Sequence, residues 1–386
     1  MAIMNEYLRR LRRVAAVGLA ACVLSVTMLQ QASAQDKPAD ATPPPPDPDK
    51  VTLNFFKGTE VGGLVDAYYD WYSTKADGLY RNFDTKHNAF SLSMAEVWLA
   101  KAPAADSRLG YKIKLAFGPA TSNFITPAAD SSMTNIQEVY GSYLAPVGKG
   151  LQIDVGKFVT HNGAEVIEAK DDWNYTRGLL FAWAIPYFHT GVRLTYPVND
   201  QVTLAGGVIN GWNNAVENNT GKTVWGQVVL KPIPSLMITQ NYTGGPEQAG
   251  NNSDFRNLSD TIVMYTVNPM VSLMANYDYG HDTVVGISNS WQGIAGYAKF
   301  QANKWVAIVP RGEFFKDGNG WATGIVQNLK EGTLTVEVKG VDGFLWRIEY
   351  RGDFSDKSPF LDSAGVAKSS QHSISLGFLY NFSSKS

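Results

Sequence analysis

The C-terminal segment 373–382 alternates between apolar and small polar residues. One side of an extended strand would carry Ile374, Leu376, Phe378, Tyr380 and Phe382, and the other would carry Ser373, Ser375, Gly377 and Asn381. Because successive side chains of a strand point to opposite faces, the segment predicts a strand with one apolar and one polar surface. Such a terminal strand is typical of a closed barrel in lipid, although a soluble β-sandwich produces a similar pattern.

Three further segments, 65–71, 109–117 and 344–351, show the same two-residue period. In each segment the ionic residues lie on the face opposite to most of the apolar residues, as Lys112 and Lys114 do relative to Ile113. No long stretch of the sequence combines a 3.6-residue period with helix caps. The pattern therefore predicts an all-β chain whose strands have one lipid side and one water side.

The lengths of the connections predict the topology. Long connections are expected near 73–88, 119–135, 160–187, 212–222, 245–257, 282–290, 317–330 and 355–370, and short turns near 103–107, 146–150, 197–200, 232–235, 268–269, 302–303 and 341–343. Eight long loops and seven short turns join sixteen strands, with fourteen or eighteen as near alternatives. We therefore predict a closed antiparallel transmembrane β-barrel over 59–382, with short periplasmic turns, long outer loops and a short tail at 383–386. A barrel of this size encloses an aqueous lumen.

Residues 1–34 have the pattern of an export signal. Four arginines at positions 9–13 precede an apolar run, and small residues at 32–34 form a cleavage site. We predict cleavage there; an anchoring helix is the first alternative, for which the apolar run is short. Lipidation of Cys22, which follows Leu-Ala-Ala, is the second alternative. The proline-rich segment 35–58 is predicted to be a flexible periplasmic tether.

Composition narrows the class of protein further. Cys22 is the only cysteine, so the cleaved chain would have no disulfide. Removal of 1–34 takes away four arginines and one glutamate, which moves the formal net charge from −2 to −5. A mildly acidic chain argues against a nucleic-acid partner. No later apolar run is long enough for a transmembrane helix, so a spanning chain must use strands.

The longest predicted loop, 160–187, combines charged and apolar residues. An apolar stretch at 179–185 would be unusual if it were exposed to water in an outer loop. We therefore predict that the loop folds inward and narrows the lumen; the alternative is one more strand at 178–185. The charged candidates for this constriction are Glu165, Glu168, Asp171, Asp172 and Arg177. We expect its acids to face bases of the wall such as Arg311, Arg347 and Arg351.

Strand phase assigns further charged residues to the lumen wall. The acids are Asp66, Asp70, Glu96, Asp154, Asp278, Glu313 and Glu349, and the bases are Lys112, Lys114, Arg193, Arg311, Arg347 and Arg351. Facing rows of acids and bases create a transverse field that orients polar solutes, whereas the alternative is a set of neutral wall pairs without a role in selectivity. Aromatic residues near strand ends, among them Trp71, Trp98 and Tyr350, are predicted to form interfacial girdles.

Signals for catalysis and metal binding are weak. The five histidines are scattered along the chain at positions 87, 161, 189, 281 and 372. No Ser–His–Asp set falls on one wall, and the sequence has neither an HExxH motif nor a Cys/His spacing for zinc. We therefore predict no enzymatic activity, no cofactor and no metal, with loop calcium near Asn251, Asn252 and Asp254 as the weaker alternative.

A set of residues spread over the predicted barrel carries a family resemblance. The set comprises Gly63, Asp66, Tyr68 and Tyr69, then Asn174, Arg177, Pro186 and Gly191, then Asn210, Gly211 and Trp212, and the runs 311–318 and 347–353. Through these residues the chain resembles the β-barrel porin-2 (OmpL-like) family of Gram-negative outer-membrane proteins over about 59–382. The resemblance implies an outer-membrane barrel acting as a porin, and it transfers no binding residues. One departure is that four residues follow Phe382, whereas barrel chains often end at the aromatic residue.

These features predict a porin of the bacterial outer membrane that passes small hydrophilic solutes or ions down their gradients. Its expected partners are outer-membrane lipid, the solutes and further copies of the chain, a trimer by analogy. The alternatives are a non-conducting structural or adhesion barrel, an outer-membrane hydrolase, and a soluble extracellular β-protein.

Overall fold

The computed structural model of the chain describes residues 56–121 and 133–384. The wall strands in chain order are β1 Glu60–Tyr72, β2 Ala89–Lys101, β3 Leu109–Phe117, β4 Ile136–Ala145, β5 Leu151–Val159, β6 Phe188–Pro197, β7 Val202–Ile209, β8 Thr223–Ile233, β9 Leu236–Pro246, β10 Phe255–Asn268, β11 Val271–Val284, β12 Ile287–Gln301, β13 Val306–Asp317, β14 Gln327–Lys339, β15 Phe344–Ser355 and β18 Ser370–Ser383. The last long loop contains the short strands β16 Phe360–Leu361 and β17 Ala367–Lys368, and the loop before β6 contains the helix α1 Leu179–Trp183.

The wall closes on itself through its first and last strands. Each wall strand pairs antiparallel with its sequence neighbours, and β18 pairs with both β15 and β1. The closing pair aligns Gly63 with Phe382 and Trp71 with Ile374. Closure leaves no free sheet edge, which is what a sheet in lipid requires. The described residues therefore form a closed sixteen-stranded antiparallel barrel, and this confirms the predicted fold.

The two faces of the wall differ as the alternation predicts. In β18, Ile374 and Phe382 expose 49% and 47% of their surface, whereas Ser373 and Ser375 are fully buried. The apolar row is therefore the outer surface of the barrel, and the polar row points to the interior. Such an outer face fits hydrocarbon and keeps the polar groups away from it. Within the described residues, no helix is long and apolar enough to cross a membrane.

Two predicted features of the loops are wrong. The region 282–290 is not a long loop, because only Val285 and Gly286 separate β11 from β12. Both residues have positive φ, 51° and 74°, as in the tight turns that match the twist of a hairpin. The alternative strand at 178–185 is also absent, since most of this stretch forms the short helix α1. The remaining predicted loops and turns agree with the strand bounds to within a few residues.

The C-terminal strand extends one residue beyond the predicted end of the barrel. Ser383 pairs with Gly62 of β1, so it belongs to the wall and not to a tail. Ser384 Oγ then accepts a hydrogen bond from Val61 N at 3.0 Å. Ser383 and Ser384 therefore continue the closing pair of strands.

Some predictions fall on parts of the chain outside the described residues. They are the export signal at 1–34 with its two alternatives, the tether up to residue 55, and the greater part of the loop near 119–135. Cleavage, anchoring and lipidation therefore stay predictions.

Candidate functional site

The 160–187 loop leaves the end of β5 and contacts the wall at β8 and β10 through its residues 161 and 163. The ring of His161 stacks on Trp225 of β8, with 3.9 Å between the centroids and 23° between the planes. Gly163 N then donates a hydrogen bond to Asp260 Oδ2 of β10 at 2.8 Å. Because Trp225 and Asp260 are inward-facing and buried, these contacts bring the loop inside the barrel.

Five residues later the same loop contacts the opposite side of the wall. Glu168 pairs with Lys114 of β3 and accepts a hydrogen bond from Gln137 Nε2 of β4 at 2.6 Å. Burial raises the pKa of Glu168, but Lys114 and the hydrogen bond from Gln137 outweigh this and lower it to about 2. Six wall strands separate β3 from β10 on one side and eight on the other. The loop therefore spans the lumen from wall to wall.

A buried arginine of β13 joins the two arms of the loop. Arg311 Nη1 donates hydrogen bonds to Glu165 Oε1 at 2.7 Å and to the carbonyl of Thr176 at 2.6 Å. The same guanidinium contacts Glu331 of β14, with 3.1 Å between Nε and Oε2. Charge-assisted bonds of this kind are among the strongest that a side chain forms. Arg311 therefore fixes Glu165 and Thr176 to the wall.

Glu349 of β15 binds the main chain in the middle of the 160–187 loop. Glu349 accepts hydrogen bonds from Tyr175 N at 2.7 Å and Thr176 N at 3.1 Å, and Thr335 Oγ1 donates to it at 2.6 Å. Tyr175 also reaches the first strand, where its hydroxyl donates to Asp66 Oδ1 at 2.8 Å. These buried contacts satisfy main-chain groups that would otherwise lack partners away from water. They hold the loop against the wall between β14 and β1.

Arg347 of β15 binds three carbonyl groups of the loop. Its guanidinium donates to the carbonyls of Ala169, Asp172 and Asn174, the last at 2.7 Å. It also pairs with Glu337 of β14 at 2.7 Å. A guanidinium group has several donors in a fixed plane, so it can donate hydrogen bonds to several carbonyl groups of one backbone turn. Arg347 is therefore a positioning residue for the segment 169–174.

The apolar stretch predicted to fold inward is buried in the structure. Leu179 N at the start of α1 donates to Glu313 Oε2 at 2.6 Å, and the indole Nε1 of Trp291 donates to the carbonyl of Ala184 at 3.1 Å. Leu179, Leu180, Phe181 and Ala182 are all buried. Burial of these side chains removes apolar surface from water, and this is the reason for which the loop was predicted to fold inward.

The first long loop, 73–88, also folds inward, and sequence analysis missed its role. Arg81 forms ion pairs with Asp84 at 2.8 Å and with Asp353 of β15 at 2.9 Å. The guanidinium of Arg177 lies over the ring of Phe83 at 4.0 Å. The sequence Arg-Asn-Phe-Asp at 81–84 is a charged and aromatic run inside a long loop, which is the same signal that singled out 160–187.

An open space remains in the lumen beside the loop. The cavity has a volume of about 330 Å³ and lies against β1 to β5. Its charged and aromatic lining residues are Glu60, Trp98, Lys112, Lys114, Glu138, Glu168, Lys170 and Asp171. It is therefore lined by both signs of charge, from the wall and from the loop.

Trp98 was predicted to be a girdle residue, and that prediction is wrong. Its indole Nε1 donates to Glu60 Oε1 at 3.2 Å, and the ring lines the lumen cavity. The pairing of β1 with β2 skips Ser93, which marks a β-bulge. Trp98 lies two residues beyond Glu96 on the same side of this bulge, so it shares the inward phase of that glutamate. By contrast, Trp71 and Tyr350 are exposed on the outer face.

The remaining wall candidates lie on the inner face and form local pairs. Arg193 pairs with Asp154 at 2.8 Å, and Lys112 pairs with Glu138. The other pairs and near contacts are Lys114 with Glu96 at 2.9 Å, Arg351 with Asp353 at 2.8 Å, and Asp70 with the hydroxyl of Tyr72 at 3.3 Å. Glu138, Glu331, Glu337 and Asp353 are partners that strand phase had not assigned to the lumen wall.

The expected partners of the loop acids are only partly as predicted. Glu165 does face Arg311, but Glu168 faces Lys114. Asp172 lies near Arg177 of its own loop, with 3.7 Å between Oδ2 and Nε. Asp171 pairs with its neighbour Lys170 at 2.7 Å and has 56% of its side chain exposed. The phase of wall residues predicted which face they occupy, but not which loop residue meets them.

A pH-dependent contribution to stability is expected from His161. Burial lowers the pKa of His161 well below its ordinary value of about 6.5, and His189 and Arg193 lower it further. The folded state therefore keeps His161 neutral while the unfolded state takes up a proton. Stability is fully present above about pH 6.5 and falls below it, by up to about 1.4 kcal/mol per pH unit. Urea unfolding of the barrel between pH 7 and pH 5 measures this change.

His161→Phe keeps a ring against Trp225 and is expected to reduce that pH dependence. The control is His281→Gln, because His281 is half-buried in β11 and its Nε2 lies 2.8 Å from the hydroxyl of Ser288, away from His161. An equal pH dependence in wild type and His161→Phe would contradict the assignment.

The described residues contain no group of three or more His, Cys, Asp and Glu side chains placed to hold a metal ion. Their histidines have other neighbours: His189 Nδ1 lies 3.0 Å from the carbonyl of Gly211, and His372 Nδ1 lies 2.9 Å from the hydroxyl of Tyr350. The site is therefore best described by its charges and by its position in the lumen.

The closed wall, the apolar outer surface and the inward-folded loop define a class of protein, the outer-membrane barrels of the porin type. The model of the family described as Putative beta-barrel porin-2, OmpL-like matches residues 58–382. The chain belongs to this family, as its sequence indicated. Family and fold place the barrel in the bacterial outer membrane. No curated protein sequence matches the chain.

Solved structures of outer-membrane proteins share the fold. The anion-selective porin from Comamonas acidovorans is 10% identical with a TM-score of 0.59, and the match covers 84% of this chain and 99% of that one. OmpF of Salmonella typhi, in complex with daunomycin, is 14% identical with a TM-score of 0.58, over 84% and 97% of the two chains. OmpT of Vibrio cholerae, described in a trimer form, is 12% identical with a TM-score of 0.57, over 84% and 99%.

Proposed function

We propose that this protein passes small hydrophilic solutes or ions by passive diffusion, through a lumen that the 160–187 loop narrows. The observation that carries the proposal is the span of this loop from β3 to β10, beside a cavity lined by acids and bases. Closely facing charges select polar solutes and exclude apolar ones. Membership in a porin family supports the same function.

Planar-bilayer recording tests the proposal. Purified barrel is expected to give discrete conductance steps, and swelling of liposomes with a panel of sugars and amino acids would rank the solutes. Absence of both channels and swelling, from protein whose mobility on gels shows that it is folded, would refute diffusion through the lumen.

A second candidate is a non-conducting structural or adhesion barrel. The observation in its favour is the packing of two loops, since Arg81 and Arg177 of the two loops are both buried and Phe83 contacts both Arg177 and Phe181. This candidate predicts normal folding with no conductance, so the same recording separates the two functions. We propose no enzymatic role.

We further propose that the barrel forms a homo-oligomer, with a trimer as the expected state by analogy with the trimer form of OmpT from Vibrio cholerae. Outer-membrane lipid and the diffusing solutes complete the expected partners.

Ion selectivity is expected to depend on Asp171 more than on the other loop acids. Asp171 is the exposed acid of the cavity lining, whereas Asp172 is buried beside Arg177. Asp171→Asn removes a negative charge from the diffusion path, so we expect the reversal potential in a KCl gradient to move toward anion preference. A shift of several millivolts is on the order expected for one charge in a narrow lumen.

The matched control is Asp200→Asn at the short-turn end of the barrel. Asp200 is also exposed and also pairs with a lysine, Lys149, at 3.1 Å, but it lies in the turn between β6 and β7. Its substitution is expected to leave the reversal potential unchanged. Equal reversal potentials in wild type and Asp171→Asn would remove this residue from the proposed path.

A further inference from the structure

Two lysines project from the outer face of the wall near the end that carries the long loops. Lys316 of β13 and Lys330 of β14 are exposed and alternate with buried neighbours, Phe315 and Leu329. Neither lysine forms an ion pair with a described residue. A free ammonium group on a surface that faces lipid is costly unless it lies at the headgroup level or meets an anion.

Aromatic rings flank the lower of the two lysines. The register places Lys330 directly between Phe314 of β13 and Phe354 of β15. Both rings are exposed on the outer face. Together with Lys316 these residues line a groove of about 610 Å³. The groove is therefore basic at its outer end and aromatic at its sides.

Asp356, the acid in this groove, already accepts hydrogen bonds within the chain. Asp356 accepts hydrogen bonds from Asn328 N at 2.9 Å and from Asn328 Nδ2 at 2.7 Å. Its carboxylate therefore has partners other than Lys316 and Lys330. The two ammonium groups remain available to an anion from outside the chain.

A row of glycines lies directly beneath the groove, on the side of the short turns. Gly296, Gly312 and Gly332 are aligned across β12, β13 and β14, and none has positive φ. A Cβ added at Gly296 or Gly332 would meet no atom within 4 Å, and one at Gly312 would meet only the carbonyl of Glu331 at 3.9 Å. Neither backbone conformation nor crowding within the chain calls for glycine there.

Glycine weakens a strand, so its presence in register often marks close approach by another molecule. The row forms a shallow depression in the outer surface, two residue pairs below Phe314 and Lys330 and thus at the next outward-facing pair. A depression of this kind accepts an extended hydrocarbon chain. The basic groove above it accepts the headgroup of the same molecule.

We propose that this surface binds a phosphorylated, acylated lipid of the outer leaflet, with phosphate at Lys316 and Lys330 and an acyl chain along Gly312 and Gly332. The proposal rests on the outer-membrane location of the barrel and does not depend on whether the lumen conducts. Charge complementarity favours a lipid phosphate over the same surface of a second copy of the chain. The groove carries two lysines without an ion pair against one carboxylate, so two copies would bring like charges together.

The test uses the whole barrel, refolded in detergent without lipid. The probes are diphosphorylated lipid A and the same lipid after enzymatic removal of its phosphates, with binding followed by native mass spectrometry and by the thermal midpoint. Wild type is expected to bind the phosphorylated form and to prefer it over the dephosphorylated form. Lys316→Gln with Lys330→Gln is expected to weaken that binding roughly thirtyfold, at about 1 kcal/mol for each lysine near a membrane surface.

Gly312→Val with Gly332→Val fills the depression and is expected to weaken binding of both lipid forms. The charge control is Lys304→Gln with Lys339→Gln, two exposed lysines at the short-turn end, and the cavity control is Gly226→Val. An added Cβ at Gly226 also meets no atom within 4 Å. All controls are expected to bind as wild type does.

Two results would overturn the proposal. The first is equal binding of phosphorylated lipid A by wild type and by the double lysine variant. The second is a change of oligomeric state in the double glycine variant with lipid binding intact, which would assign the depression to a second copy of the chain. Neither result bears on conductance, which the bilayer recording measures separately.

Discussion

Replacing residues 164–186 by a short glycine–serine linker is expected to raise single-channel conductance by about threefold or more, since it clears the lumen of a sixteen-stranded barrel. The segment contacts β3, β11 and β13 to β15, so it occupies most of the cross-section. The barrel itself should persist, because its ladder is continuous without the loop. Planar-bilayer recording at fixed salt measures the change.

The control for this deletion is an insertion in a turn that does not enter the lumen. Inserting glycine and serine between Val285 and Gly286 lengthens an exposed two-residue turn, where Val285 has 86% of its surface exposed. This variant should conduct as wild type does. Unchanged conductance after the deletion itself would show that the loop does not limit the flow of ions.

Arg347→Met is expected to release the 160–187 loop and to destabilise the barrel by about 3 kcal/mol or more, the usual cost of breaking a buried ion pair. The substitution removes the donors to Ala169, Asp172 and Asn174. Of the two cations that pair with Glu337 among the described residues, it leaves Lys299. Urea unfolding gives the loss of stability. Trypsin cleavage after Arg177, which is buried in the wild type, reports release of the loop.

Lys299→Gln is the matched control, because it removes the other cation that contacts Glu337. Lys299 lies 3.3 Å from Glu337 and is partly exposed, so its loss should cost about 1 kcal/mol or less. Arg347→Lys keeps the charge but loses the planar set of donors, and should restore only part of the stability. Trypsin resistance equal to wild type in Arg347→Met would contradict the positioning role of this arginine.

Local patterns predicted the wall because alternate residues of each strand face lipid and the barrel interior, and their polarity differs accordingly. Ser375 and Ile374 are neighbours in sequence, yet one is buried and the other is half exposed, as their polarity indicated. The same logic failed at 282–290, where polar residues were interpreted as a loop. Backbone pairing between β11 and β12 continues there without any need for an apolar face.

The same reasoning predicted only part of the candidate site. Charge and apolar content identified the 160–187 loop, and strand phase placed Arg311 and Glu349 on the inner face. The partners lie far apart in sequence: Arg311 and Glu165 are separated by 146 residues, and Tyr175 and Asp66 by 109. No pattern local to either residue encodes such a contact.

The all-β wall, its two faces, the approximate strand number and the family could be read from the residues alone, because they depend on side-chain alternation and turn residues that act over a few positions. The folded barrel was needed to show that the loop runs between β3 and β10, that Trp98 faces the lumen, and that Gly312 and Gly332 align beneath Lys330. Closing the sheet sets these neighbours, since strand register and curvature bring together residues that the chain order keeps apart.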